Sequence, residues 1–189
     1  MHVFLVSAGL VAVAEIGDKT QLLAILLAAR FRRPVPIILG ILVATLANHA
    51  LAATAGALAG QFLQGPWMRW VLGVAFLGFA AWALIPDTLD EAEQKASQAK
   101  TVPTIFWATV ISFFFVEMGD KTQVATAALA ARFHEIGIIA AGTTLGMMIA
   151  NVPAVLIGEA AASRLTLKYI RWAAVASFAL IGLWILIAG

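Results

Sequence analysis

The sequence predicts an all-α polytopic membrane protein with six transmembrane helices, which form two inverted three-helix repeats. Composition is the first of three observations behind this prediction. Of the 189 residues, 62% are apolar and 12% are charged, about half the charged share of a soluble domain. A soluble fold could not bury so much apolar surface, so a lipid bilayer is the expected solvent. The chain has no cysteine, which excludes disulfides, thiolate zinc sites and cysteine nucleophiles. Its net charge of +2 is scattered along the chain and does not favour nucleic-acid binding.

Apolar stretches of spanning length are the second observation. A spanning helix needs roughly 20 apolar residues. Six stretches approach or exceed that length: 2–28, 35–60, 67–85, 103–131, 136–160 and 168–188. They should be helical because a helix satisfies its own backbone hydrogen bonds in lipid. The first stretch contains Glu15, Asp18 and Lys19, so we expect a span there and not the core of a cleavable signal peptide.

The third observation is an internal repeat with an offset of 102 residues. The segment EIGDKTQ at 15–21 returns as EMGDKTQ at 117–123, and AARF at 28–31 returns at 130–133. Three helices per unit is an odd number, so the second unit must enter the membrane from the opposite side. We therefore expect a first three-helix repeat at 1–86, a polar cytoplasmic linker at 87–102 and a second three-helix repeat at 103–189. Together they would form one transport domain.

Basic residues in the loops predict the orientation, because cytoplasmic loops carry an excess of lysine and arginine. The loops after the second and fourth spans hold only Arg69 and Arg132, whereas the loops after the first, third and fifth spans hold eight basic residues. We expect the loops after the first, third and fifth spans to be cytoplasmic, which predicts that both termini lie outside. The eight residues are Arg30, Arg32, Arg33, Lys95, Lys100, Arg164, Lys168 and Arg171.

Four acidic residues lie deep within apolar spans: Glu15, Asp18, Glu117 and Asp120. A charge at the bilayer centre costs on the order of 3 kcal/mol, so a chain rarely carries four without a use. If each span is one continuous helix, the glutamate and aspartate of each motif share a helix face. Where the first and fourth spans meet, the four carboxylates would repel one another unless a cation or protons neutralise them. Carboxylate oxygens suit manganese, calcium and magnesium, so these four residues are the predicted metal ligands. Buried ion pairs that hold the helices together are the alternative.

Polar neighbours extend the predicted site. Gly17 and Gly119 would permit local unwinding that frees carbonyl oxygens, although helix packing alone would also explain them. His49 could relay protons or be a buried histidine with satisfied hydrogen bonds, and Met118 could add a soft sulfur ligand. Asn48 and Asn151 could bind the cation or could instead form hydrogen bonds between helices. The additional candidate cation ligands are Thr20, Gln21, Thr122, Gln123, Asn48 and Asn151.

Lys19 and Lys121 complete the charge balance of the predicted site. With four carboxylates they leave two net negative charges, which one divalent cation or two protons would neutralise. This balance predicts a secondary antiporter that alternates between metal-loaded and protonated forms, with no resident cofactor. A passive divalent-cation channel or uniporter using the same acidic residues is the alternative. No histidine-based metal motif or nucleophile arrangement supports a membrane enzyme.

The doubled Glu-x-Gly-Asp-Lys-Thr motif resembles the signature of the Gdt-type cation/proton exchangers, once catalogued as an uncharacterised protein family. The resemblance covers both halves, hence nearly the whole chain. It implies exchange of manganese or calcium for protons, with the cation held by Glu15, Asp18, Glu117 and Asp120. Bacterial members include a manganese exporter. Because the chain lacks the targeting extensions of Golgi and chloroplast members, the resemblance implies a prokaryotic plasma (inner) membrane protein in manganese homeostasis.

Overall fold

The computed structural model describes residues 1–62, 67–82 and 101–158, together with 175–176, 179–180, 182–184 and 186–187. The described part of the chain contains helices and no strands, which confirms the predicted all-α class. The predicted linker lies outside the described residues except at 101–102, and most of the predicted sixth span lies outside them too. The helices are α1 (His2–Glu15), α2 (Lys19–Phe31), α3 (Pro34–Phe62), α4 (Met68–Trp82), α5 (Val102–Glu117), α6 (Lys121–Phe133) and α7 (Ile136–Ile157).

Two of the described helices are long and apolar enough to cross a membrane. These are α3, over Pro34–Gln61, and α7, over Ile136–Ile157. Helices α5 and α6 would form a third span if the pair, which is bent by 69° at a short break, counts as one. Helix α1 is apolar but shorter. The chain is thus a helical protein with two or three candidate spans among its described residues.

The first and fourth predicted spans are not continuous helices, because the chain leaves the helix at each acidic motif. Helix α1 ends at Glu15 and α2 begins at Lys19, while α5 ends at Glu117 and α6 begins at Lys121. The glycine of each motif has a positive φ, +83° at Gly17 and +82° in the second motif, which a side chain with Cβ rarely adopts. The glutamate and aspartate therefore do not share one helix face. Of the two interpretations of the glycines, local unwinding is the one that the structure confirms.

Each broken helix packs against the long helix of the other half. Helix α1 lies along α7, and α5 and α6 lie along α3. Glycines allow close approach: a Cβ on Gly142 would lie 2.8 Å from the backbone oxygen of Phe4, and one on Gly40 would lie 3.0 Å from the backbone oxygen of Phe106. Gly40 and Gly142 are 102 residues apart, so the two contacts are equivalent in the repeat.

Apolar side chains form two clusters that use different ends of α3 and α7. The first, here the α2–α5 cluster, comprises Leu23, Ala24, Ile25, Leu27, Ala28, Ile37, Ile41, Ala44, Ile105, Phe113, Ala154 and Val155. The second, here the α1–α6 cluster, comprises Leu10, Ala14, Ala53, Ala57, Leu72, Phe76, Ala80, Ala125, Leu129, Ala130, Ala131, Ile139 and Ala140.

A buried polar layer separates the two clusters. On α3, the fully buried Thr45, Asn48 and His49 lie between Ala44 of the α2–α5 cluster and Ala53 of the α1–α6 cluster. Both breaks occupy the same layer. The first connects α1 of the α1–α6 cluster to α2 of the α2–α5 cluster, and the second connects α5 of the α2–α5 cluster to α6 of the α1–α6 cluster. The acidic motifs are therefore enclosed by apolar side chains on two sides.

Candidate functional site

The two breaks have nearly the same backbone geometry. Ile16 has φ −66° and ψ 119°, and Met118 has φ −66° and ψ 116°. Each aspartate then acts as the N-cap of the next helix: Asp18 accepts a hydrogen bond from the Lys19 amide at 2.7 Å, and Asp120 accepts one from an amide in the first turn of α6. An aspartate is favoured at this position because its carboxylate satisfies amides that have no partner within the helix. The helix N-terminus also carries partial positive charge that stabilises the anion.

Carboxylates from both halves converge at these breaks. Oxygen atoms of Glu15, Asp18 and Asp120 all lie within 4.8 Å of one another, and the three residues are buried. Among the described residues, Oε1 of Glu15 is buried without a hydrogen-bond partner. Glu117 is also buried and interacts electrostatically with the other three acids, although it does not belong to the group within 4.8 Å. Such a group of buried anions favours a cation or bound protons.

Two lysines cross between the halves to pair with the aspartates. Lys121 Nζ lies 2.5 Å from Oδ2 of Asp18, and both side chains are buried. Lys19 Nζ lies 3.8 Å from Oδ1 of Asp120, and its side chain is 23% exposed. Each lysine follows the aspartate of its own motif but pairs with the aspartate of the other. The ion pairs expected as an alternative to a metal site thus occur, yet the acidic residues outnumber the lysines.

The motif threonines orient the glutamates. Thr20 Oγ1 donates to Oε2 of Glu15 at 2.7 Å, and Thr122 Oγ1 lies 3.3 Å from Oε2 of Glu117. In both halves the bond crosses the break, from the first turn of the new helix to the last residue of the previous one. Each threonine therefore fixes one carboxylate oxygen of its glutamate.

The motif glutamines and Asn48 are engaged with the protein in this conformation. The Oε1 atoms of Gln21 and Gln123 accept hydrogen bonds from the amides of the motif glycines. Asn48 uses both ends of its amide, accepting from Gln123 and donating to the backbone oxygen of Phe114. Their predicted role as cation ligands stays a prediction.

Other candidate residues lie around the polar layer. Asn151 donates to the Met147 backbone oxygen at 3.1 Å, while its own Oδ1 is buried without a hydrogen-bond partner in the described part of the chain. The same holds for both ring nitrogens of His49, so the expectation of a satisfied histidine is wrong for the described residues. Met118 is 51% exposed, so its burial gives the suggested soft-ligand role no support.

Sequence reasoning missed the capping arrangement at the breaks. Asp followed three residues later by Gln matches the spacing of a capping box, in which the two side chains satisfy the amides of a helix start. This spacing occurs in both motifs, as Asp18 with Gln21 and Asp120 with Gln123. It could have indicated that a helix begins at each aspartate.

Broken apolar helices that present buried carboxylates, lysines and helix ends to one volume define the class of protein, a helical membrane transporter of cations. Comparison with known proteins gives the family. The family model described as "Divalent cation/proton antiporter GDT1" matches residues 3–91 and 105–189. The chain therefore belongs to the GDT1 family of divalent cation/proton antiporters, and it is a transporter.

Several relatives support this assignment. A Vibrio cholerae protein named "Putative manganese exporter" is 48% identical over 97% of this chain and 90% of its own length. A GDT1-like protein of Synechocystis is 32% identical over 84% of both chains, and GDT1-like protein 5 of Arabidopsis thaliana is 27% identical over 86% of both. No solved structure matches the chain.

Proposed function

We propose that this chain is a secondary antiporter that exchanges a divalent cation, manganese in the first place, for protons. The observation that carries the proposal is the buried convergence of Glu15, Asp18 and Asp120 oxygens within 4.8 Å at two helix breaks. Glu117 completes the proposed set of metal ligands. The cation is a substrate of this site and not a resident cofactor.

The charges of the site support exchange. Four carboxylates and two lysines leave two net negative charges, and a buried site of that charge is unstable unless it is neutralised. One divalent cation neutralises it, and so do two protons on the carboxylates. The two occupants therefore compete for the same oxygens, which couples release of the metal to uptake of protons.

The choice of manganese rests on a relative and on ligand chemistry. A protein that is 48% identical carries the name of a manganese exporter, and carboxylate oxygens suit manganese. Calcium prefers the same ligand type, so it is the second substrate to test. Export would relieve manganese excess in a prokaryotic cell, with the protein in the plasma membrane.

We further propose that the chain spans the membrane six times as two inverted three-helix repeats, 1–86 and 103–189, joined by the linker 87–102. Support comes from the equivalent breaks, 102 residues apart, and from each broken helix packing on the long helix of the other half. The positive-inside pattern of the loops supports an orientation with both termini outside. In this arrangement the α1–α6 and α2–α5 clusters would close the site from opposite sides of the membrane.

Metal-driven proton movement in liposomes tests the function. The purified protein is reconstituted with a pH-sensitive dye, and manganese, calcium and magnesium are added separately. We expect proton movement with manganese or calcium, and its loss in the Asp18→Asn and Asp120→Asn variants; circular dichroism checks that each variant is folded, since Asp18→Asn removes the buried ion pair with Lys121. Glu135→Gln makes the same chemical change at an exposed carboxylate outside the cluster and should keep activity.

The same experiment separates the antiporter from a channel or uniporter. Metal flux without proton movement would establish a passive pathway and remove the charge-exchange mechanism. Retained coupling in either aspartate variant would remove that residue from the site.

A further inference from the structure

Two uncharged side chains of the acidic motifs, those of Gln21 and Gln123, form hydrogen bonds with the opposite half of the chain. In the first half, the Gly17 amide donates to Oε1 of Gln21 at 2.8 Å. The Nε2 of the same glutamine donates to the backbone oxygen of Ala150, on α7, at 3.0 Å, in buried surroundings. One amide group thus bridges the left-handed glycine of the break and the long helix of the other half.

The second half repeats the bridge with a different anchor. The Gly119 amide donates to Oε1 of Gln123 at 2.6 Å, and Nε2 of Gln123 donates to Oδ1 of Asn48, on α3, at 2.9 Å. Asn48 in turn donates to the backbone oxygen of Phe114 at 2.8 Å. Phe114 lies in α5, the helix that ends at the same break. A side-chain anchor on α3 therefore takes the place of the backbone anchor on α7.

We propose that Gln21 and Gln123 are positioning residues of the cation site, which hold each helix break in register with the long helix of the opposite half. This inference rests on the proposed function. The motif glycine lies between the glutamate and the aspartate of its motif, so the conformation of its backbone sets the separation of those carboxylates. Glutamine suits the task because its amide offers an acceptor for the glycine and a donor for the other half.

In this role Gln21 and Gln123 are not direct ligands of the cation. The carbonyl oxygen that a ligand would offer is the atom that accepts from the glycine amide. Removing the side chain would free that amide and detach the break from the opposite helix. Mutation of residues that orient the ligands of a metal site typically lowers the affinity for the metal by about 10- to 100-fold.

Manganese binding by the purified full-length protein, measured from the electron paramagnetic resonance signal of free manganese, tests the proposal. We expect Gln21→Ala and Gln123→Ala each to weaken binding by about tenfold or more. The KM for manganese in liposomes should rise in parallel. Gln61→Ala, an exposed glutamine of α3, is the matched control and should bind like the wild type.

The two different anchors allow a double-mutant test. Asn48→Ala removes the bridge from Gln123 through Asn48 to Phe114 and leaves the bond of Gln21 to Ala150 intact. It should therefore add little to Gln123→Ala, whereas it should multiply the effect of Gln21→Ala. If Asn48→Ala multiplies both effects equally, the bridge through Asn48 does not position the site.

Glutamine-to-glutamate variants separate positioning from ligation. Glutamate keeps the acceptor for the glycine amide but loses the donor to the opposite helix. A direct ligand would bind manganese as well or better after this change, because a carboxylate is the preferred ligand of a hard cation. If the glutamine is a positioning residue, its glutamate variant should bind manganese more weakly than the wild type despite the added negative charge. These variants also serve if an alanine variant fails to fold.

The outcomes distinguish this inference from the proposed function. If the wild type binds no divalent cation and moves no protons, both fail. If the wild type exchanges metal for protons while the alanine variants keep its manganese affinity within about twofold, only the positioning role is overturned. Equal or tighter binding by the glutamate variants would overturn it in favour of direct ligation.

Discussion

Replacing Gly119 with alanine isolates the contribution of the helix break to stability. The φ of this glycine is +82°, and a Cβ built on it would have no heavy atom within 4 Å outside its immediate chain neighbours. The variant therefore suffers no steric clash, and its cost is that of the backbone conformation alone. An L-residue in a left-handed conformation loses about 1–2 kcal/mol, so the folded-to-unfolded ratio should fall about 5- to 30-fold.

Gly78→Ala is the matched control. Gly78 lies within α4, its added Cβ would also meet nothing within 4 Å, and its φ is not positive. Alanine is favoured over glycine in a helix by up to about 1 kcal/mol, so this variant should be slightly more stable than the wild type. The same chemical change should thus have opposite signs at the two positions.

Reversible unfolding in mixed micelles, followed by circular dichroism as the denaturing detergent is increased, measures both variants. Manganese binding should weaken in Gly119→Ala and stay unchanged in Gly78→Ala, because only the first glycine lies between two carboxylates of the site. If Gly119→Ala is as stable as the wild type and binds manganese equally well, the chain does not need a left-handed residue there and the broken-helix account is refuted.

Three further predictions follow from the packing and the charges. Lys121→Met should lower stability by about 3–5 kcal/mol, because it leaves a buried aspartate without its lysine, whereas Lys19→Met, at the longer and more exposed pair, should cost about 1 kcal/mol; thermal unfolding compares them, and equal losses would contradict the difference in burial. Gly142→Ala should cost about 1–3 kcal/mol by forcing α1 away from α7, while Gly9→Ala, where an added Cβ meets nothing within 4 Å, should be neutral or stabilising; a neutral result at both positions would mean that the helices are not in close contact. Manganese at about 100 times its dissociation constant should stabilise the wild type by about 2.7 kcal/mol but not Asp120→Asn, as a thermal shift would show; an equal shift in both would place the metal elsewhere.

The sequence by itself determined the helical class, the bilayer as solvent and the duplicated acidic motif. These follow from composition and from the offset of 102 residues, which need no knowledge of contacts. The breaks between α2 and α3 and between α6 and α7 were also predicted from the limits of the apolar stretches, and the structure places them at Arg32 and His134, both with positive φ. The choice of Glu15, Asp18, Glu117 and Asp120 as candidate ligands followed from the cost of charge in an apolar span.

Only the tertiary structure decided how those residues meet. Hydropathy cannot distinguish a continuous span from a broken one, because the apolar residues on both sides of a three-residue break read as one stretch. The left-handed conformation of Gly17 became visible only with backbone angles. The exchange of lysines between the halves, as in the pair of Lys121 with Asp18, and the attachment of Gln21 to Ala150 depend on which helices pack together. These two contacts join residues 103 and 129 positions apart, and a repeat in a single sequence does not say whether equivalent residues meet within a half or across the two.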